Sequence, residues 1–169
     1  MLAKRMEEEL NKQINAEYWS AYFYLSMSAY LESEGLAGAA NWMRVQYQEE
    51  ISHALKFFDY IIQRGGKVDL RPIAEVPKKW NGILNIFEET LKHEQGVTSL
   101  IYNLMDVANE EKDHAAKSFL QWYVDEQVEE EAGVKTLLDQ LKIVEGKGNG
   151  LFLIDKDLGQ RVFVDATLA

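Results

Sequence analysis

The chain contains no cysteine, which excludes disulfides, thiolate chemistry and every zinc or iron–sulfur site built on cysteine. Proline is almost absent: Pro72 and Pro77 are the only two, and both fall in GGKVDLRPIAEVPKKW, residues 65–80. Proline breaks helices, so the rest of the sequence is free to be helical. Positive charge is short as well, with 18 Lys and Arg against 28 Asp and Glu and a net charge of −10. Nucleic acid, which needs a basic surface, is thereby excluded as a partner, and attraction of cations is favoured. Charges interrupt every apolar stretch before it reaches the length of a membrane span, and the opening MLAKRMEEELNKQ has no apolar run of signal-peptide length. The default expectation is a soluble, cytoplasmic protein with no membrane partner. Hydrophobic residues make up 47% of 169, enough for one folded domain over 1–169 with a sizeable core.

Helical periodicity fills most of that length. A first helix is expected over about 5–33, with Met6, Leu10, Ile14, Ala21, Tyr24, Leu25, Ser28 and Leu31 on its core side and Gly35 as its C-terminal cap. A second covers about 37–64 through Trp42, Val45, Phe57 and Ile61, and Gly65-Gly66 stops it. A third covers about 81–110, through Ile83, Ile86, Phe87, Leu91, Val97, Ile101, Leu104 and Met105. EEKDH is a turn with Asp113 as N-cap, and a fourth helix runs on to about 145. GKGNG then breaks the chain before LFLIDKDL, a short fifth helix at about 150–160.

Connection lengths set the topology. The first and third breaks are short, so helices one and two are antiparallel neighbours, as are three and four. The middle connection of about 15 residues reaches about 50 Å when extended, whereas a 27-residue helix is about 40 Å long. The expected fold is all-α: a four-helix bundle over about 5–145 with one long crossover, plus the small C-terminal helix.

Within that bundle, QEEISHALKFF places Glu50 and His53 three residues apart, pointing the same way from adjacent turns. Glu-x-x-His on a bundle helix is half of a di-metal carboxylate arrangement, which also takes single glutamates from other helices. Glu17 and Glu94 are the candidates. Glu50 lies 33 residues after Glu17, and Gln127 lies 33 residues after Glu94. His53 and Glu130 each follow three residues later, and Glu49 maps onto Glu126. The two hairpins therefore repeat one layout, the second half degenerate. No Lys or Arg stands three, four or seven residues from Glu17, Glu50, Glu94 or Gln127 on the same face. Two carboxylates 4 Å apart repel by about 4 kcal/mol at an effective dielectric of about 20, so the cluster must protonate or hold a cation. Oxygen ligands with one imidazole suit iron or manganese, with zinc also acceptable and copper less so.

The segments NAEYWSAYFYLSMSAY, NWMRVQYQEEISHALKFFDYI, FLQWYVDEQVEEEA and LFLIDKDL, with their spacing, closely resemble the haem-free ferritins of bacteria and archaea over nearly the whole chain. The resemblance implies a cage of twenty-four subunits that oxidises ferrous iron with dioxygen or peroxide and stores the ferric product as mineral. It implies one iron held by Glu17, Glu50 and His53 and a second by Glu50, Glu94 and Glu130, with Glu50 bridging. Gln127 becomes a hydrogen-bonding group beside the centre. Glu49, Glu126 and Glu129, with Glu130 shared, match a third iron site. Tyr24 matches a tyrosine beside the centre that donates a hydrogen bond or an electron, Trp122 an aromatic near it, and the last helix the lining of fourfold pores. Ser52 stands where haem-binding relatives use methionine, and only one Glu-x-x-His is present, so no haem is expected.

Three functions compete at this point: a ferroxidase and iron store, a non-catalytic helical cage that buffers divalent cations, and a di-iron oxidoreductase acting on an organic substrate. The third normally uses two Glu-x-x-His motifs. His93 and His114 read as surface residues, as do Asp125 and Glu131. Glu110, Glu111 and Asp113 fit an iron-uptake pore or a merely acidic exposed turn.

Overall fold

The computed structural model describes residues 2–168. Its helices are α1 (Lys4–Ser33), α2 (Ala37–Gln63), α3 (Gly82–Glu110), α4 (His114–Ile143) and α5 (Gly148–Leu158), followed by a 3₁₀ turn at Ala166–Leu168. No strand occurs among the described residues, and no helix is long and apolar enough to cross a membrane.

The expected helix stops operate as punctuation. Gly35 and Gly65 take positive φ, 77° and 72°, a region that favours glycine. Asp113 caps α4, its carboxylate accepting from the Ala116 N–H at 2.9 Å. Between α4 and α5 the reversal is tighter than GKGNG implies. Glu145, Gly146 and Gly148 have positive φ, and the helix resumes at Gly148. Leu25 is only half-buried; Phe23 and Met27 hold the core positions beside it.

Residues 64–81 form the crossover, and side chains of α1 hold it. The Asn11 amide donates to the Lys67 carbonyl and its oxygen accepts from the Asp69 N–H. Asn15 donates to the carbonyls of Arg71 and Pro72, and Ser26 to that of Pro77. Finally the Tyr30 hydroxyl accepts from the Gly82 N–H at the start of α3. Contacts from Asn11 to Tyr30 cover 20 helical residues, about 30 Å of bundle length. The strap thus starts α3 at the far end, as the reach argument required.

The apolar core is split in two. One cluster gathers Phe23, Met27, Leu31, Met43, Ile86, Phe87 and Leu138 among others. The other gathers Met6, Leu10, Ile14, Phe57, Ile61, Ile101, Leu104 and Leu120. On every bundle helix a buried polar residue interrupts the stripe at the join: Glu17, Glu50, Glu94 and Gln127. Four helices do this at one level, which marks a site rather than a set of local exceptions.

Candidate metal centre

At that level α1 and α2 bring Glu17, Glu50 and His53 together. One ligand atom from each lies within 4.8 Å of the others, the only such convergence of three acidic or histidine ligands among the described residues. All three are at most 4% exposed. Gln13, one turn before Glu17, donates to its Oε1 at 2.9 Å. Glu17 Oε2 and Glu50 Oε2 are buried with no hydrogen bond from a backbone or neutral side-chain donor; they face each other's carboxyl and, 3.5 Å from Glu50 Oε2, His53 Nδ1. Buried carboxylate oxygens are normally satisfied, so these two orphans are the expected mark of ligands arranged for a cation.

The second hairpin repeats the pattern in degenerate form. The 33-residue offset brings Gln127 against Glu94, donating to Glu94 Oε2 at 3.1 Å. The Tyr24 hydroxyl donates to Glu94 Oε1. Glu130 is partly buried and accepts from Gln46 at 3.0 Å. Glu50, Glu94 and Glu130 interact electrostatically; Glu94 and Glu130 are turned toward neutral donors on neighbouring helices, and the three do not converge as tightly as the first three.

Burial sets the protonation of this cluster. It raises Glu17 and Glu50 well above the usual carboxylate range, with further upward pressure on Glu17 from Glu50 and on Glu50 from Glu94. Burial, then the charge of Glu130, pushes Glu94 up to about 8. The Tyr24 hydroxyl is likewise raised by burial and by the charge of Glu94, so it stays a proton donor. Carboxyls held in this state bind protons until a cation replaces them.

Trp122 packs edge-on to the His53 ring at 5.5 Å, and the Tyr123 hydroxyl donates to the His53 carbonyl at 2.9 Å. Tyr123 was not singled out from sequence, although it stands at the repeat position of Gln46, 77 residues on.

A neighbouring cavity of about 540 Å³ is lined by Glu49, Glu126, Glu129 and Glu130 together with Trp42 and Arg161. Here sequence reasoning missed a residue. Arg161, from the segment after α5, pairs with Glu49 at 2.5 Å across 112 residues. Burial raises Glu49 to about 7 even though Arg161 opposes it.

Two expectations are corrected. His93 is half-buried rather than exposed: it accepts from or donates to the Ser20 hydroxyl at 2.8 Å and sits among the rings of Trp19, Phe23 and Tyr24. Its backbone position does point away from Glu94, but α1 covers that face. Glu131 is half-buried and accepts from Thr98 at 2.6 Å, because α3 passes close to it. In the turn at 110–113, Glu110 and Glu111 are exposed, Arg5 pairs with Glu110 and Arg64 with Asp113. His114 and Asp125 are exposed as expected.

The ferritin-like domain profile of the ferritin family matches residues 7–144. The chain is 45% identical over 161 residues to a bacterial non-heme ferritin of Bacteroides fragilis, covering 95% of this chain and 100% of the relative. It is 40% identical over 163 residues to that of Staphylococcus aureus, covering 96% and 98%. A ferritin of the archaeon Archaeoglobus fulgidus, engineered to a closed form, superposes with a TM-score of 0.95 at 47% identity over 97% of this chain and 100% of that one. The novel open pore ferritin of the same archaeon gives 0.94 at 47% identity over 96% and 100%. With relatives of this closeness along nearly its whole length, the chain belongs to the ferritin family.

Proposed function

We propose that this protein oxidises ferrous iron at a di-iron centre inside each subunit and stores the ferric product as mineral within a cage of twenty-four copies in the cytoplasm. The observation that carries the reading is the convergence of Glu17, Glu50 and His53, with two orphaned carboxylate oxygens, in the middle of a bundle of the ferritin family. Glu17, Glu50 and His53 take one ferrous ion. Glu50 bridges to the second, which Glu94 and Glu130 complete. Their carboxyl protons leave as the cations enter, since the two cannot share one oxygen lone pair. Each ferrous ion then gives up one electron to dioxygen or hydrogen peroxide. Tyr24 and Gln127 keep Glu94 oriented by hydrogen bonds, and Tyr24 is placed to supply a further proton or electron. Glu49, Glu126 and Glu129, with Glu130 shared, hold a third iron between the centre and the cavity beside it. The Ser52 hydroxyl donates to the Glu49 carbonyl and accepts from the Ala166 N–H, and a serine there offers no thioether to a haem iron.

The test is aerobic addition of ferrous iron to the metal-free protein, following ferric absorbance and oxygen uptake. Glu50→Ala and His53→Ala are expected to slow oxidation at least tenfold, and parental rates in both would sink the assignment. A cation buffer without catalysis predicts binding with no oxygen consumption. A di-iron oxidoreductase predicts oxygen use that depends on an added organic substrate.

A further inference from the structure

Arg161 occupies an unusual position. Its guanidinium lies over the ring of Trp42, 4.4 Å from the centroid, and Nη2 pairs with Glu49. Its backbone is pinned independently, the Asn41 amide donating to the Arg161 carbonyl at 3.0 Å. The side chain is therefore free to move without releasing the segment after α5. The pairing is also incomplete: Nη1 is buried and has no hydrogen-bond partner. An arginine built only to lock a carboxylate would use both nitrogens in a bidentate pair.

Two cavities meet at this residue. The first contains Glu49, Glu126, Glu129 and Glu130. The second, about 430 Å³, shares Trp42, Leu137 and Arg161 with it and adds Gln140, Asp157 and Gln160, which offer acceptors for a guanidinium. The flat face of Trp42 borders both, so a guanidinium can slide across it while keeping its cation–π contact.

We infer that Arg161 is the displaceable resident counter-ion of the third metal pocket, giving up Glu49 when a metal cation loads and turning along Trp42 toward Asp157. This rests on the reading of Glu49, Glu126, Glu129 and Glu130 as a cation site. The physical ground is competition for one carboxylate. The guanidinium already holds Glu49 Oε2 at 2.5 Å, and a metal ion drawing on that carboxylate would stand beside its positive charge, so like-charge repulsion drives Arg161 out as the cation loads. Arg161 thereby lowers the affinity of the third site, whereas the ligands of the first two face no resident cation but only protons. A third cation is held loosely and passed on rather than retained.

The experiment uses the assembled, metal-free full-length protein and zinc as a redox-inert probe, titrated calorimetrically. The parent is expected to show two tight equivalents per subunit and a third, weaker one. Arg161→Gln is expected to tighten only the third, about tenfold or more, and Arg161→Lys to fall between. A third equivalent that disappears in Glu126→Gln/Glu129→Gln but keeps its affinity, or weakens, in Arg161→Gln overturns the inference and leaves the site assignment standing. Absence of a third equivalent in both the parent and Arg161→Gln overturns both. A zinc-loaded crystal structure gives the second readout: the guanidinium is expected away from Glu49, and a retained Arg161–Glu49 pair beside bound zinc refutes the displacement.

Discussion

Buried glutamines decide how the carboxylates of the centre behave. Gln13, Gln46 and Gln127 each donate to one acid, Glu17, Glu130 and Glu94 respectively. A lysine at those positions would cancel the charge; an amide only orients it and leaves the deficit for a cation. The consequence is a pH dependence with two arms. Glu94 titrates at about 8 in the folded protein against its ordinary 4.5, so the folded state binds the extra proton in between. Its stability contribution is full below the unfolded value and is lost as pH rises through about 8. His93 runs the other way. Burial lowers it from 6.5 to about 4, so its contribution is full above 6.5 and is lost as pH falls toward 4. The metal-free protein is therefore expected to show its highest unfolding midpoint between these arms. Thermal scans of Glu94→Gln should make the alkaline arm shallower without abolishing it, because Glu17, Glu50 and Glu49 share it, and those of His93→Gln should flatten the acid arm. Adding zinc should raise the midpoint more at about pH 8 than at about pH 5, because at the lower pH it must displace more protons.

At the scale of elements, the N-terminus of α2 is capped from far away. Leu36, at its N-cap position, makes no side-chain cap, and the Asp155 carboxylate of α5 accepts instead from the N–H groups of Gly38 and Ala39, at 3.2 and 2.8 Å. Only glycine permits this approach, since a Cβ on Gly38 would stand 1.6 Å from the Asp155 carbonyl oxygen. Asp155→Ala is expected to cost about 1–2 kcal/mol, the usual value of a lost cap, with Asp155→Asn retaining most of it. Hydrogen exchange should show residues 148–158 losing protection in the alanine variant, and unchanged protection there would refute the docking role. These contacts also show where sequence reading stops. Helices, the long crossover and the paired half-sites were legible because they rest on local periodicity and on fixed spacings such as Glu17 to Glu50. Asp155 on α2 and Arg161 on Glu49 join residues more than 110 positions apart, with no spacing rule to connect them. His93 was misread for a related reason: whether a residue beside the stripe is covered depends on Trp19 and Phe23 of another helix.

For the whole molecule, α5 leaves an apolar surface that this chain does not cover. Ile143, Phe152 and Leu153 are 83%, 69% and 60% exposed, although they flank a helix docked on the bundle. Further copies of the chain are the natural cover for such a face. Phe152→Asp with Leu153→Asp is expected to reduce the particle size in light scattering while circular dichroism retains the helix content; an unchanged particle would remove α5 from the assembly contacts. The paired half-sites have a different consequence, for the order in which the molecule is made. Glu17, Glu50 and His53 all come from the first hairpin, so a growing chain completes that candidate ligand set before α3 and α4 are synthesised. What the second hairpin must find on docking is a register. Three polar contacts that engage the candidate ligands cross the seam: Tyr24 to Glu94, Gln46 to Glu130 and Tyr123 to the His53 carbonyl. A slip of one helical turn, about 5.4 Å, would break all three and bury their groups unpaired. The candidate metal ligands are thus also the notch that tells the two halves of the protein how far to slide.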